Sequence, residues 1–213
     1  MDCRLTLHKI LSGAWAQSVP LLKKFSVSDY CSLLMEAYEK LQINALYKSS
    51  LHGLGHIERV MLLAALIAWK EELSLYETRL LLLCCSYHDI GRVNDKKDDE
   101  HGSRSALMME NAALHKFLGD VQQQHLTLVY AAVAAHSLSD AQRGAVAEIY
   151  GVDSCHMQIF ERIACCLKDA DNLDRVRLRD LDPGRLRNRS SKTLVLIADR
   201  LYAEHVRVLL MQE

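Results

Sequence analysis

Hydrophobic positions recur at helical spacing along almost the whole chain. Apolar residues return every three or four positions over long stretches, whereas the alternation typical of a strand never persists. Two prolines and nine glycines leave few points at which a helix would be interrupted. The pattern therefore predicts an all-α protein folded as a compact helical bundle.

The bounds of the predicted helices follow from this spacing and from capping residues. Ser74 and Glu77 match a capping box, which predicts that one helix begins there and ends near His88. The polar and charged stretch 92–102 predicts a surface loop. The other helices are predicted at 3–17, 28–46, 55–70, 103–117, 122–136, 155–178 and from 190 or 191 to the C-terminus. We divide the chain into a helical lead-in at 1–46 and a main bundle with a C-terminal helix at 47–213.

Four of the predicted helices carry an apolar stripe with a histidine or a carboxylate at one end. Asp89 adds a second polar group beside one of these histidines. Burying such groups without partners costs several kcal/mol each, and a divalent metal in the bundle core would satisfy them together. The stripes are His56, Val60, Leu63 and Ile67; Leu81, Cys84 and His88; Val129, Val133 and His136; and Phe160, Ala164, Leu167 and Asp171.

Each of these residues also has an ordinary structural interpretation. Taken alone, His56 or His136 would be a hydrogen-bonded histidine of the core or its rim, and Asp171 a carboxylate near a helix end. The doublet of His88 and Asp89 after "LLLLCCSY" is harder to explain in that way, because both side chains would need protein partners. The joint pattern favours the metal site.

The motifs resemble those of the HD superfamily of metal-dependent phosphohydrolases. The signature of that superfamily is a histidine, a His-Asp doublet and a distal aspartate, which here are found in "HGLGHIERV", "YHDIGR" and "LKDADNLDRVR". The resemblance covers roughly residues 50–180 and implies a compact all-α bundle around a metal. Asp169, Asp171 and Asp174 compete for the distal position. We prefer Asp171, which matches the family position and continues the stripe through Leu167.

Members of the superfamily that bind two metals have two more histidines between the doublet and the last aspartate. His101 in "EHGSRSA" and His136 in "VAAHS" occupy those positions, although His101 lies in the charged stretch, where a solvated histidine is the usual alternative. We interpret His115, His125 and His156 as surface residues. The resemblance implies two divalent ions, manganese or iron in the first place and magnesium, zinc, cobalt or nickel otherwise. The implied ligands, with Asp89 bridging the ions, are His56, His88, Asp89, His101, His136 and Asp171.

Basic residues accompany the implied ligands along the chain. Arginine and lysine suit a phosphate group, which arginine can hold with two hydrogen bonds, although any one of them could be a solvated surface charge. We therefore expect a small phosphorylated substrate, in the first place a nucleotide, with Asp89 and Arg92 as catalytic residues. The expected substrate contacts are Arg59, Arg92, Arg104, Lys168 and Arg175.

Three functions are compatible with this set of residues. The leading hypothesis is hydrolysis of a phosphoester or phosphoanhydride by a metal-activated water. Some HD proteins with the same six-ligand pattern are instead mixed-valent di-iron oxygenases, resembling the myo-inositol oxygenase group. The third possibility is a metal-containing module that senses a nucleotide without hydrolysing it.

Composition limits the partners that need to be considered. The net charge of −1 gives no electrostatic footprint for nucleic acid, and no apolar run approaches the length that spans a membrane. Seven cysteines, an odd number without a Cys-x-x-Cys motif, are interpreted as reduced core residues. We expect a cytoplasmic protein, whose first two helices and last helix either cover the bundle or pair with a second chain in a homodimer.

Overall fold

The computed structural model describes residues 6–118 and 121–211, and these ranges contain helices and no strand. The all-α fold expected from the hydrophobic spacing is thereby confirmed. The α-helices are α1 (Thr6–Ser12), α2 (Ala14–Ser18), α3 (Pro20–Phe25), α4 (Asp29–Glu39), α5 (Leu54–Lys70), α6 (Leu75–Tyr87), α7 (His101–Asn111), α8 (Gln123–His136), α9 (Arg143–Ile149), α10 (Met157–Leu173), α11 (Arg189–Thr193) and α12 (Val195–Leu210). Short 3₁₀ helices lie at Ile43–Ala45, Leu114–Leu118, Asp140–Gln142, Ser154–His156, Asp174–Leu178 and Pro183–Arg185.

The core of the bundle is formed by α5, α6, α8 and α10, which pack against one another. Every residue of α5 from His56 to Ala68 is buried, as is every residue of α6 from Leu80 to Tyr87. A helix that is buried on all sides must be enclosed by neighbours, and α5 has α4, α6, α10 and α12 around it. The polar ends of these central helices are therefore held by a rigid core.

Capping fixes the position at which α6 delivers the His-Asp doublet. The Ser74 side chain accepts a hydrogen bond from the Glu77 backbone N–H, and the Glu77 carboxylate accepts one from the Ser74 N–H at 2.7 Å, so the predicted capping box is confirmed. The helix ends at Tyr87, and His88 is its C-terminal cap residue. Gly91 follows in close contact with α7, because a Cβ atom there would lie 2.4 Å from the backbone nitrogen of Ser105.

The charged stretch before α7 is shorter than the predicted loop at 92–102. α7 begins at His101, and His101 is buried, so the expectation of a loop position for this residue was wrong. The reason is the next residue: a Cβ atom on Gly102 would lie 2.7 Å from the carbonyl oxygen of Val133 and 2.8 Å from that of Ala134. The glycine lets the first turn of α7 pack directly on α8.

The N-terminal region is more broken than the two predicted helices at 3–17 and 28–46. Gly13 separates α1 from α2, and Pro20 begins α3, where a proline is tolerated because the first turn needs no N–H donor. Ser28 caps α4, which ends at Glu39, earlier than predicted. Residues 3–5 lie outside the described ranges. α4 packs against α5 and α6, and α1 packs against α12.

The C-terminal third also differs in detail from the predicted helices at 155–178 and beyond residue 190. α10 ends at Leu173, and the chain continues as the 3₁₀ helix Asp174–Leu178, against which α12 packs. The predicted last helix is two helices, α11 and α12, joined at Leu194. Within the described ranges, no helix has both the length and the apolar character that crossing a membrane requires.

Two assignments of individual side chains to core or surface were wrong. Cys155, expected in the core, is exposed on a 3₁₀ helix; the six cysteines of the described ranges are all free. His125, expected at the surface, is buried, and its Nδ1 lies 3.0 Å from the Tyr76 hydroxyl. His115 and His156 are partly buried.

Candidate metal centre

Six side chains from five helical segments converge at one end of the central bundle. His56 comes from the first turn of α5, the doublet follows α6, and the other three lie at the start of α7, the end of α8 and the last turn of α10. All are buried except the last, Asp171, whose side chain is 30% exposed. The structure thus brings together all the residues that the resemblance implied as ligands, which are His56, His88, Asp89, His101, His136 and Asp171.

The backbone sets the orientation of three imidazole rings. The Nδ1–H of His88 donates to the Cys85 carbonyl at 2.9 Å, and that of His136 donates to the Val133 carbonyl at 2.6 Å. His101 makes the same kind of bond to the Asp98 carbonyl. Because a carbonyl oxygen can only accept, Nδ1 must carry the proton in each ring. Each Nε2 atom then presents a lone pair to the centre of the site.

His56 has the same orientation, but a carboxylate holds it. Its Nδ1–H donates to Oδ2 of Asp174 at 2.8 Å, so its Nε2 faces inward, and in the neutral ring this nitrogen carries the lone pair. The Nε2 atoms of His56 and His88 are 3.2 Å apart, and those of His101 and His136 are 2.8 Å apart. Two lone pairs facing each other at such distances repel, and a cation between them would convert repulsion into coordination.

The Asp89 carboxylate lies between the two histidine pairs. Oδ1 is 3.0 Å from Nε2 of His101 and 3.6 Å from Nε2 of His136, whereas Oδ2 is 3.6 Å from Nε2 of His56. Neither oxygen accepts a hydrogen bond, although both are buried. Nε of Arg92 lies 2.9 Å from Oδ2 but is not aligned to donate, so the carboxylate is only partly compensated, and a divalent ion at the site would supply the missing stabilisation.

The ligand atoms are close enough to share ions. Those of His56, His88 and Asp171 lie within 4.8 Å of one another, and so do those of His88, Asp89 and His136. Nitrogen and carboxylate oxygen donors in this combination suit manganese, iron or zinc. The residues present therefore fit the divalent metal that the motifs implied.

The protonation states of His88 and of the two carboxylates suit a metal, whereas the Asp171 and Asp174 carboxylates outweigh burial and raise the pKa of His56 in the metal-free protein. Burial, above all, lowers the pKa of His88 to about 3, so its ring is neutral. Burial by itself would raise the pKa of Asp89, but the nearby His88, together with His101 and His136, holds it well below its usual range. His56 likewise outweighs burial and lowers the pKa of Asp171. Neutral imidazoles and ionised carboxylates are the forms that coordinate metals.

Of the three aspartates that competed for the distal position, only Asp171 faces the inner nitrogen atoms of the histidines. Asp174 lies behind His56, on the outer side of the ring. Asp169 is fully buried elsewhere, where it accepts hydrogen bonds from the backbone N–H groups of Arg187 and Asn188. The spacing of three between Asp171 and Asp174 was the available signal that both would contact the same histidine.

A cleft of about 840 Å³ opens over the centre. Three of the predicted substrate contacts, Arg92, Lys168 and Arg175, line it together with His101, His136 and Asp171. Arg59 does not line the cleft, because its buried guanidinium is bound to Asp174. Arg104 does not line it either: its Nε donates to the Gly91 carbonyl at 2.9 Å, and its guanidinium pairs with Asp98 and Glu100. These two arginines support the structure around the ligands, which corrects the expectation that they contact substrate.

The three predicted substrate contacts that line the cleft differ in availability. Nε of Arg92 lies 2.9 Å from Oδ2 of Asp89 but is not aligned to donate a hydrogen bond, which leaves a buried donor beside the doublet. Nζ of Lys168 already has two acceptors, the Leu138 carbonyl at 2.6 Å and Asp140 at 2.7 Å. Arg175 pairs with Asp180 at the surface. Arg92 thus has the strongest geometric case for contacting an anion next to the metal ligands.

His52 is a cleft residue that sequence reasoning missed. It is buried, and its Nδ1 lies 2.9 Å from the Asp95 carboxylate. Its ring is 5.8 Å from that of His56, measured between centroids. His52 lies in the turn before α5, which begins at Leu54, so the helical spacing that indicated His56 gave no signal for it.

The fold and the site define an all-α protein with a buried histidine and aspartate centre for divalent metal. The HD domain family matches residues 53–176, a span that includes all six converging residues and more than half of the chain. The chain therefore belongs to the HD-domain family, which is part of a superfamily of metal-dependent phosphohydrolases. Searches for similar curated proteins and for similar solved structures give no match.

Proposed function

We propose that this protein is a metal-dependent phosphohydrolase that acts on a small phosphorylated molecule, in the first place a nucleotide. One observation carries the proposal: four imidazole rings with inward Nε2 atoms and a carboxylate without an aligned hydrogen bond converge beneath a cleft large enough for such a substrate, and His101, His136 and Asp171 line that cleft. The volume of about 840 Å³ lies within the range of small-molecule sites.

The proposed roles follow from the position of each side chain. Two divalent ions held by the six residues would lower the pKa of a bound water and neutralise phosphate oxygens. Asp89 lies between both histidine pairs and is the proposed bridging ligand. Nε of Arg92 is ion-paired with Asp89 but donates no hydrogen bond, and Arg92 is the proposed contact for the reacting phosphate. Lys168 and Arg175 also line the cleft and are the proposed contacts for other parts of the substrate.

The charge of the cleft supports an anionic substrate. Among the described residues that line it, seven are arginine or lysine and five are aspartate, of which one is the metal candidate Asp171. Phosphate binding sites combine metal ions with such cations because both neutralise charge on the phosphate oxygens. The excess of cations at the cleft wall therefore favours a phosphorylated ligand over a neutral one.

The test is phosphate release in the absence of oxygen. Metal-stripped protein reconstituted with Mn²⁺ or Fe²⁺ is incubated with a panel of nucleotides and simple phosphoesters, beside Asp89→Ala and a control, Glu148→Ala, which removes an exposed carboxylate outside the cleft. We expect turnover by the wild type and the control but not by Asp89→Ala. Equal turnover by Asp89→Ala would contradict the assignment of the site.

The same four histidines and two carboxylates also suit iron, which keeps an oxygenase as the second candidate. Oxygen uptake by the iron-loaded protein, without phosphate release from any compound, would favour that chemistry. Tight nucleotide binding with neither reaction would favour a sensing module. The cations of the cleft are the reason that hydrolysis is tested first.

A further inference from the structure

A continuous chain of buried polar side chains leads from His56 to the C-terminal helix α12. Its members are found on α5, on the 3₁₀ helix after α10, on α12 and on α4, and each is at least nine-tenths buried. None of these side chains faces the cleft. In order from the metal centre they are Asp174, Arg59, His205, Glu58 and Tyr38.

The first link decides which nitrogen of His56 is free. Asp174 can only accept, so its bond with Nδ1 places a proton there, and in the neutral ring Nε2 is then the nitrogen that faces the centre with a lone pair. Arg59 holds this carboxylate with two hydrogen bonds, from Nε at 2.6 Å and from Nη2 at 3.0 Å. A paired donor of this kind fixes the plane of the carboxylate and hence the direction of the imidazole ring.

The second link ties Arg59 to α12. Nδ1 of His205 lies 3.3 Å from Nη1 of Arg59, which can only donate, so this nitrogen is the acceptor. The opposite nitrogen, Nε2, then donates to Oε2 of Glu58 at 2.6 Å, and the other oxygen of Glu58 accepts from the Tyr38 hydroxyl. Tyr202, also on α12, places its ring 5.2 Å from the Arg59 guanidinium.

Close packing holds α12 against the first turn of α5. A Cβ atom on Gly55 would lie 2.9 Å from Cε1 of His205 and 3.3 Å from Nη1 of Arg59, so a larger residue there would push these two side chains from their positions. α12 therefore contacts α5 at Gly55, the residue next to His56.

We infer that His205 is a positioning residue for the metal centre, acting through Arg59 and Asp174 on the imidazole of His56. α12 lies beyond residues 53–176, so part of the support for the metal lies outside the span that matches the family. The inference rests on the metal site of the proposed function but not on hydrolysis. Loss of an outer partner of a metal-bound histidine lowers metal affinity by about 10–100-fold.

The experiment measures the affinity of metal-stripped protein for Mn²⁺, by the loss of the free-ion signal in electron paramagnetic resonance. Asp174→Asn places an amide against Nδ1 of His56, and His205→Leu removes both bonds of the ring. In His205→Gln the side-chain amide still offers one donor and one acceptor. The matched control is Leu201→Ala, which opens a cavity under the same helix, one turn before His205, and removes none of the hydrogen bonds of the polar chain.

We expect Asp174→Asn and His205→Leu to bind Mn²⁺ about 10–100-fold more weakly, and His205→Gln and Leu201→Ala to bind within about threefold of wild type. Nitrogen NMR of the metal-free protein should show His56 with the proton on Nδ1 in wild type, and with a shifted tautomer ratio in the two weak binders. Asp174→Asn and the NMR measurement keep the inference testable if His205→Leu does not fold.

Two results would overturn the inference. One is wild-type affinity in folded His205→Leu; the other is an equal loss of affinity in Leu201→Ala, which would attribute the effect to general loosening of α12. Wild-type protein that binds no Mn²⁺ would overturn the metal centre and this inference together. Bound Mn²⁺ with no phosphate release would overturn only the proposed hydrolysis.

Discussion

Replacing Asp89 by asparagine should separate metal binding from folding. Neither Asp89 oxygen accepts an aligned hydrogen bond, so the amide, which has nearly the same shape, removes a charge and the ion pair with Nε of Arg92 at 2.9 Å, but no hydrogen bond. Arg92 lines the cleft, where water can solvate its guanidinium once the pair is lost. The metal-free variant should therefore melt within about 2–4 °C of metal-free wild type, which corresponds to about 1 kcal/mol in a chain of this size. In most buried carboxylates, by contrast, the loss of bonded partners costs several kcal/mol.

The Tm of metal-loaded wild type should differ much more from that of Asp89→Asn in the presence of the same metal. An ion that binds only the folded state at a free concentration 100 times its Kd stabilises wild type by about 2.7 kcal/mol, or about 5–11 °C in Tm for a chain of this size. The assay is calorimetric melting with chelator and with Mn²⁺ at pH 8, beside an exposed control, Asp182→Asn. We expect the metal-dependent rise in Tm to disappear in Asp89→Asn only. A rise of the same size in this variant would refute the assignment of Asp89 as the shared ligand.

The remaining predictions concern substrate binding, packing and pH. Arg92→Ala should keep its metal content but raise KM for a phosphorylated substrate about tenfold or more, because a charge-assisted bond is lost; metal analysis and steady-state kinetics check both parts. Gly102→Ala should lower the free energy of unfolding by about 1–3 kcal/mol, since its Cβ would overlap the Val133 and Ala134 carbonyls; unfolding in urea measures this, and unchanged stability would contradict the packing. Burial lowers the pKa of His88 from 6.5 to about 3. Between pH 6.5 and about pH 3, His88 therefore takes up a proton in the unfolded chain but not in the folded protein. Metal-free protein should therefore lose stability as the pH falls, by up to about 1.4 kcal/mol per pH unit, and His88→Gln should reduce that slope.

The candidate metal ligands could be predicted from the sequence because each of these polar residues lies at the end of an apolar stripe. A buried stripe fixes which face of its helix points inward, and the histidine or aspartate on the same face must then point inward as well. This reasoning found His56, His88 and Asp171 on separate helices, and the capping box located the start of the helix before the doublet. It also predicted the all-α fold, because periodicity is a local property.

Contacts between helices were decided only by the tertiary structure. Helical spacing says which face a residue occupies, but not which distant group it meets, and Arg59 meets Asp174 across 115 positions and His205 across 146. For that reason Arg59 was expected at a phosphate rather than beneath His56. His101 was expected in a loop because its neighbours are charged, whereas the packing of Gly102 on α8 draws it into a helix and buries it. Sequence determined which residues could bind a metal, and packing determined which partners hold them, because burial and pairing depend on segments that are far apart in the chain.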